Sequence, residues 1–78
     1  MEIRRVLAFN IVRLRRVRGL SQEALAADAG VGRSYLSRVE REQQAASVDV
    51  IAKLAAALDV EPMEFLRLPP QRPKRRGG

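Results

Sequence analysis

Residues 19–41 read GLSQEALAADAGVGRSYLSRVER, and this stretch decides the fold. Ser21 is a good helix N-cap, and the apolar residues on either side of it can pack across the helix start. The same arrangement recurs after Gly30, where Gly32 can serve as the next N-cap. The stretch therefore predicts two short helices joined by a tight turn, one from Gln22 to Gly30 and the other from Arg33 to about Arg41.

The second of these helices has two different faces. At roughly 100° per residue, Leu36, Val39 and Glu40 fall on one arc. The opposite arc is polar and carries Arg33, Ser34, Ser37, Arg38 and Arg41. Arginine can form two hydrogen bonds to guanine, and serine is short enough to let the backbone approach a base. The pattern indicates a helix-turn-helix whose second helix enters the DNA major groove.

The rest of the chain predicts three more helices. Apolar residues from Ile3 to Leu14 form one stripe of a helix over about residues 3–18, which ends before Gly19. Ser47 caps a fourth helix with one apolar face. Pro62 opens a short fifth helix that extends to about Arg67. The expected fold is all-α, a five-helix bundle in residues 1–68, followed by a disordered basic, Pro- and Arg-rich tail in residues 69–78.

Composition argues against several classes of protein. The 78 residues contain neither cysteine nor histidine, so disulfides, the usual zinc ligands and the usual small-enzyme nucleophiles and bases are missing. An enzyme is therefore the least supported class, and we expect no metal, cofactor or small-molecule ligand. Without an apolar run of about 18 residues or a signal peptide, we expect a cytoplasmic protein of a bacterium or phage, associated with the nucleoid and not with a membrane.

The net charge of +6 is unevenly distributed. Residues 67–78 hold five basic residues and no acidic one, which leaves residues 1–66 close to neutral. A DNA-binding surface in the folded part must then come from local clusters of arginine. Such clusters occur late in the first helix and along the third. For the tail, disorder alone is favoured over a specific DNA-binding arm.

From about residue 7 to 66 the chain resembles the Cro/repressor (XRE-type) family of bacterial and phage transcription regulators. The segments GLSQEALA, GVGRSYLSRVER and SVDVIAKLAAALDV carry the resemblance. It implies a lambda-repressor-like fold, a phosphate contact by Gln22 and an ion pair between Arg15 and Glu40. It also implies base contacts by Arg33, Ser34 and Arg38. Ser37 is added from the polar arc, so the predicted base-contacting residues are Arg33, Ser34, Ser37 and Arg38. Gln22, at the first turn of its helix, also suits a phosphate by position alone.

Two further residues are candidate phosphate contacts. Arg41 lies at the end of the polar arc. Tyr35 lies off the centre of that arc, and packing and a DNA-backbone contact are equally supported for it.

The chain also departs from the family pattern after the third helix. Glu42 stands where the family commonly has glycine, and Ala45 and Ala46 stand where it commonly has Asn-Pro. Since a left-handed conformation strains glutamate, we expect the third helix to extend further. Asp59 replaces another glycine but tolerates that conformation better.

A cluster of apolar residues near residue 65 suggests a homodimer. A chain this short is marginally stable alone, and one short helix reads few base pairs. Four large apolar residues are assigned to the dimer interface: Met63, Phe65, Leu66 and Leu68. The leading prediction is a dimeric DNA-binding transcription regulator on a palindromic operator, similar to restriction-modification controller proteins or phage repressors. An antitoxin that binds both DNA and a toxin is the alternative, and a helical interaction module comes third.

Overall fold

Four α-helices and one short 3-10 helix follow one another along the chain in the computed structural model, which describes residues 2–68. The elements are α1 (Ile3–Val17), α2 (Gln22–Ala29), α3 (Arg33–Glu40), α4 (Val48–Leu58) and the 3-10 helix Pro62–Leu66. Residues 2–68 contain no strand, so the all-α prediction is confirmed there. The predicted disordered tail lies outside the described residues.

Local capping sets where α2 and α4 begin. The Ser21 hydroxyl accepts a hydrogen bond from the Ala24 amide at 3.0 Å, and Ser47 does the same for the Val50 amide at 3.1 Å. Each hydroxyl satisfies an amide that has no partner inside its helix. Gly30 then ends α2 in the left-handed conformation, at a φ of 72°. The helix starts predicted from the sequence are confirmed.

The end of α3 corrects one prediction. Glu42 adopts the left-handed conformation, with a φ of 64°, and α3 ends at Glu40. The Gln43 amide donates to the Arg38 carbonyl at 2.9 Å, and the Glu42 amide donates to the Val39 carbonyl at 3.1 Å. These two bonds satisfy carbonyls that the helix leaves open, as a Schellman turn does. The expectation of a longer α3 was wrong because this gain outweighs the strain at Glu42.

The fifth predicted helix is also corrected, since Pro62–Leu66 is a 3-10 helix. The Glu64 amide donates to the Glu61 carbonyl at 2.9 Å, which is the three-residue spacing of that geometry. The end of the segment is held on α1 instead of continuing as a helix. The fully buried Asn10 amide lies 2.8 Å from the Phe65 carbonyl and 2.7 Å from the Arg67 carbonyl.

The core lies where all five elements meet. Its buried members are Leu7, Ile11, Leu14, Leu25, Ala26, Ala29, Leu36, Val39, Leu54, Ala55, Leu58 and Phe65. Phe65 has no exposed surface, so its assignment to a dimer interface was wrong. The 3-10 turn directs its ring inward, where burying an aromatic side chain contributes about 2–3 kcal/mol. Within residues 2–68, no helix has the length and apolar character needed to cross a bilayer.

Candidate nucleic-acid interface

The outer face of α3 forms an open polar concavity of about 270 Å³. Its lining residues are Arg33, Ser34, Ser37, Arg38, Arg41 and Gln43. All four residues predicted to contact bases are therefore brought together on one surface, with Arg41 beside them. None of the ion pairs within residues 2–68 involves Arg33, Arg38 or Arg41. Their charge is available to an anionic ligand.

The inner face of α3 is anchored by a nearly buried ion pair. Glu40 receives two hydrogen bonds from Arg15, at 2.8 Å from Nε and 3.0 Å from Nη2. The side chains are 12% and 4% exposed for Arg15 and Glu40 respectively. Arg15 Nη1 also donates to the Leu20 carbonyl at 2.9 Å, next to the start of α2. The pair thus connects α1, α3 and the turn before α2.

Gln22 joins this cluster from the first turn of α2. Its Nε2 donates to Glu40 Oε1 at 2.7 Å. An amide carries two N–H groups, so one remains for another acceptor. Because Arg15 neutralises Glu40, the carboxylate does not repel an anion strongly. Gln22 is consequently held beside the N-terminus of α2, in a position compatible with the phosphate contact predicted for it.

Tyr35 contacts the loop between α3 and α4. Its hydroxyl donates to the Ala45 carbonyl at 3.3 Å and accepts from the Ser47 amide at 3.3 Å. Its ring packs against the core. A phosphate contact by Tyr35 would require its hydroxyl to give up the hydrogen bond that it donates to the Ala45 carbonyl. Between the two roles considered for Tyr35, the geometry favours packing.

The same loop reaches Arg38. Arg38 Nε donates to Gln44 Oε1 at 2.9 Å. Arg41 instead turns back along its own helix, with Nε 3.4 Å from the Ser37 carbonyl. The outer face therefore contains one arginine held by a side chain from outside the helix.

Three of the four residues assigned to a dimer interface lie on the surface. Met63, Leu66 and Leu68 are 76%, 54% and 55% exposed, and Met63 and Leu66 line a concavity of about 260 Å³ with Glu64 and Arg67. Hydrogen bonds from Arg67 at 3.2 Å, and its charge, lower the pKa of the Glu64 carboxyl below its ordinary value. The same carboxylate raises the pKa of Arg67. Met63, Leu66 and Leu68 thus form an exposed apolar patch, and Glu64 and Arg67 at its rim stay charged at neutral pH.

Sequence reasoning missed Gln44 and Asn10. Gln44 lies in a loop with no periodic pattern, and only the turn at Glu42 places it beside Arg38. Asn10 had a signal, because it falls between Leu7 and Leu14 on the apolar stripe of α1. A polar residue on such a stripe needs hydrogen-bond partners when buried, and the carbonyls of the 3-10 segment supply them.

Comparison with known proteins shows the family to which the chain belongs. Residues 11–65 match the helix-turn-helix family HTH_3, so the chain belongs to that family, the XRE-type class of DNA-binding transcription regulators. A hypothetical transcription factor from Neisseria meningitidis is 44% identical over 70 residues, which are 90% of this chain and 65% of that protein. Control protein C.SmaI from Serratia marcescens is 35% identical over 66 residues, covering 85% of this chain and 79% of that one.

Solved structures give the same relationship. The restriction-modification controller protein C.AhdI from Aeromonas hydrophila has a TM-score of 0.77 at 45% identity, covering 80% of this chain and 94% of the other. A hypothetical transcription factor from Neisseria has a TM-score of 0.82 at 42% identity, covering 86% of this chain and 77% of the other. The chain therefore shares its fold with relatives whose sequences also align with most of its length.

Proposed function

We propose that this protein is a sequence-specific regulator of transcription that binds a palindromic operator as a homodimer, with α3 in the major groove. One observation carries the proposal: a single concave surface, whose arginines form no ion pair within residues 2–68, is lined by Arg33, Ser34, Ser37, Arg38, Arg41 and Gln43. In this assignment Arg33 and Arg38 read guanine, while Ser34 and Ser37 allow close approach to the base edges.

The anchoring of α3 supports a reading role. An α-helix reads bases only if its orientation relative to the phosphates is fixed. Glu40 fixes the inner face of α3 to Arg15 and Gln22. Gln22, at the start of α2, would bind a phosphate through its remaining N–H. One cluster would then set the distance between the phosphate contact and the base contacts.

The exposed apolar patch supports a dimer. The large apolar side chains of Met63, Leu66 and Leu68 are exposed to solvent. A domain this small would also gain stability from association. Two domains related by a two-fold axis would place their α3 helices about 34 Å apart, one turn of B-DNA. A dimer also doubles the number of base pairs that are read.

The relatives favour a controller role within this class. Several are named control or controller proteins of restriction-modification systems, so we propose that this protein regulates the operon in which it is encoded. No observation on the described residues favours the antitoxin alternative over this role.

Two measurements test the proposed function. Selection from random duplexes, followed by footprinting, should recover a palindrome with half-site centres about 34 Å apart. Sedimentation at micromolar concentration should give a dimer that Met63→Glu with Leu66→Glu converts to a folded monomer. Val17→Glu is the matched control, because Val17 and Met63 are both 76% exposed. A wild-type monomer, or selection of no common sequence, would contradict the proposal.

A further inference from the structure

The loop after α3 turns back over the outer face of that helix. At Glu42 the backbone takes a φ of 64°, which reverses the chain direction. The Gln43 amide then donates to the Arg38 carbonyl at 2.9 Å. Residue 44 is thereby brought beside the Arg38 side chain, although six positions separate the two residues.

Two side chains of α3, one turn apart, hold this loop. Arg38 Nε donates to Gln44 Oε1 at 2.9 Å. Tyr35 contacts the far end of the loop through the Ala45 carbonyl and the Ser47 amide, both at 3.3 Å. With the Gln43 backbone bond, the loop is fixed at its start, middle and end. The Gln44 side chain is thus presented to Arg38 from an ordered segment.

We infer that Gln44 is a positioning residue that sets the orientation in which Arg38 reads a base. The inference rests on the proposed function and deepens it. Gln44 accepts a hydrogen bond from Nε, so Nη1 and Nη2 stay free to donate side by side to guanine O6 and N7. An arginine held in this way loses less rotamer freedom on binding than a free one. Gln44 thereby strengthens discrimination through Arg38 without touching the base itself.

A double-mutant cycle separates positioning from direct contact. Gln44→Met removes the acceptor and keeps the bulk, and Arg38→Ala removes the group that is positioned. The measured quantity is the ratio of affinities for the selected operator and a scrambled duplex. We expect Gln44→Met to lower this ratio about 5-fold in the presence of Arg38, which is within the range of one bidentate base contact. In the Arg38→Ala background it should leave the ratio unchanged.

Other outcomes of the cycle overturn the inference. An equal loss in both backgrounds would mean that Gln44 contacts DNA itself. An unchanged ratio with Arg38 present would mean that Gln44 does not act on readout. If wild-type protein selects no sequence, the proposed function fails, and the inference fails with it; selection without coupling overturns the inference alone.

A second measurement uses the protein without DNA. NMR can measure the rate at which each arginine Nε–H exchanges with solvent. This rate should be slower for Arg38 than for Arg33, and Gln44→Met should remove the difference. Equal exchange at Arg33 and Arg38 in the wild-type chain would show that the link to Gln44 does not persist in solution, which overturns the inference. Unchanged circular dichroism would establish that each variant is folded.

Discussion

The inner and outer faces of α3 differ in how far their charged side chains are buried and whether they form ion pairs. Glu40, on the inner face, is 4% exposed and is bound by both Arg15 and Gln22. Arg33, on the outer face, is exposed and takes part in no ion pair within residues 2–68. Arg38 combines features of both, since it is exposed like Arg33 but is held at Nε by a hydrogen bond to Gln44.

If the proposed function is right, this difference lets one helix of eight residues separate stability from recognition. A buried charge that loses its partner is expensive, whereas an exposed arginine costs the fold little when it is removed. Changes on the inner face should therefore alter the free energy of unfolding. Changes on the outer face should alter the choice of DNA sequence and leave unfolding nearly unaffected.

The largest expected effect comes from Glu40→Ala. It strands the Arg15 guanidinium in a site where only 12% of that side chain is exposed, so we expect a loss of about 3 kcal/mol in the free energy of unfolding. Chemical denaturation checks the value. The double variant Arg15→Met with Glu40→Leu should recover most of the loss, because it leaves no charge unpaired. A midpoint for Glu40→Ala equal to that of the parent would mean that the pair adds nothing to the fold.

The next largest effects belong to the outer face. Arg33→Ala or Arg38→Ala should each reduce discrimination between operator and scrambled DNA by about 1–3 kcal/mol. Neither should change the free energy of unfolding by more than about 0.5 kcal/mol, since both side chains are exposed. Competition binding and denaturation, run on the same preparations, check the two halves.

Gln22→Ala is the contrasting variant. It removes the proposed phosphate contact and should weaken binding to all sequences alike. An operator-to-scrambled ratio that survives both arginine substitutions would show that the assignment of base readout to Arg33 and Arg38 is incorrect.

The fold was predictable where its determinants are local. Ser21 and Ser47 cap helices through residues three positions ahead, and Gly30 ends α2 through its own backbone conformation. The inward position of Glu40 also followed from helical spacing, although its pairing with Arg15 came from the family resemblance. These features need no knowledge of how the helices pack.

The remaining features depend on contacts between distant residues. Phe65 was misassigned because the sequence cannot tell which member of an apolar cluster the turn directs inward. Asn10 fixes the end of the 3-10 helix across 55 residues, through the Phe65 carbonyl. The position of Gln44 depends on the reversal at Glu42, and local propensity argued against that reversal. Phe65 and Asn10 are fixed by burial and by a tertiary hydrogen bond, whereas at Glu42 the hydrogen bonds that close the turn outweigh the strain of the left-handed conformation.

The smallest predicted effect concerns the two left-handed non-glycine residues, Glu42 and Asp59. Replacing a glutamate in the left-handed conformation with glycine relieves about 1–2 kcal/mol of strain in the folded protein. The greater flexibility of glycine in the unfolded chain offsets about half of that gain. Glu42→Gly should therefore stabilise the protein by about 0.5–1 kcal/mol, seen as a higher denaturation midpoint with an unchanged slope.

Asp59→Gly is the comparison for Glu42→Gly. It should gain less, since aspartate tolerates this conformation and Arg18 lies 3.5 Å from its carboxylate. Both residues lie just after the end of a helix, but only Glu42 leads into the loop that holds Arg38. If the glycine at position 42 keeps the turn, discrimination between DNA sequences should be unchanged while stability rises, because Gln44 still reaches Arg38. A stabilised variant that also loses discrimination would mean that glutamate at position 42 stiffens the loop that orients Arg38, and the strain there would then serve recognition on the outer face of α3.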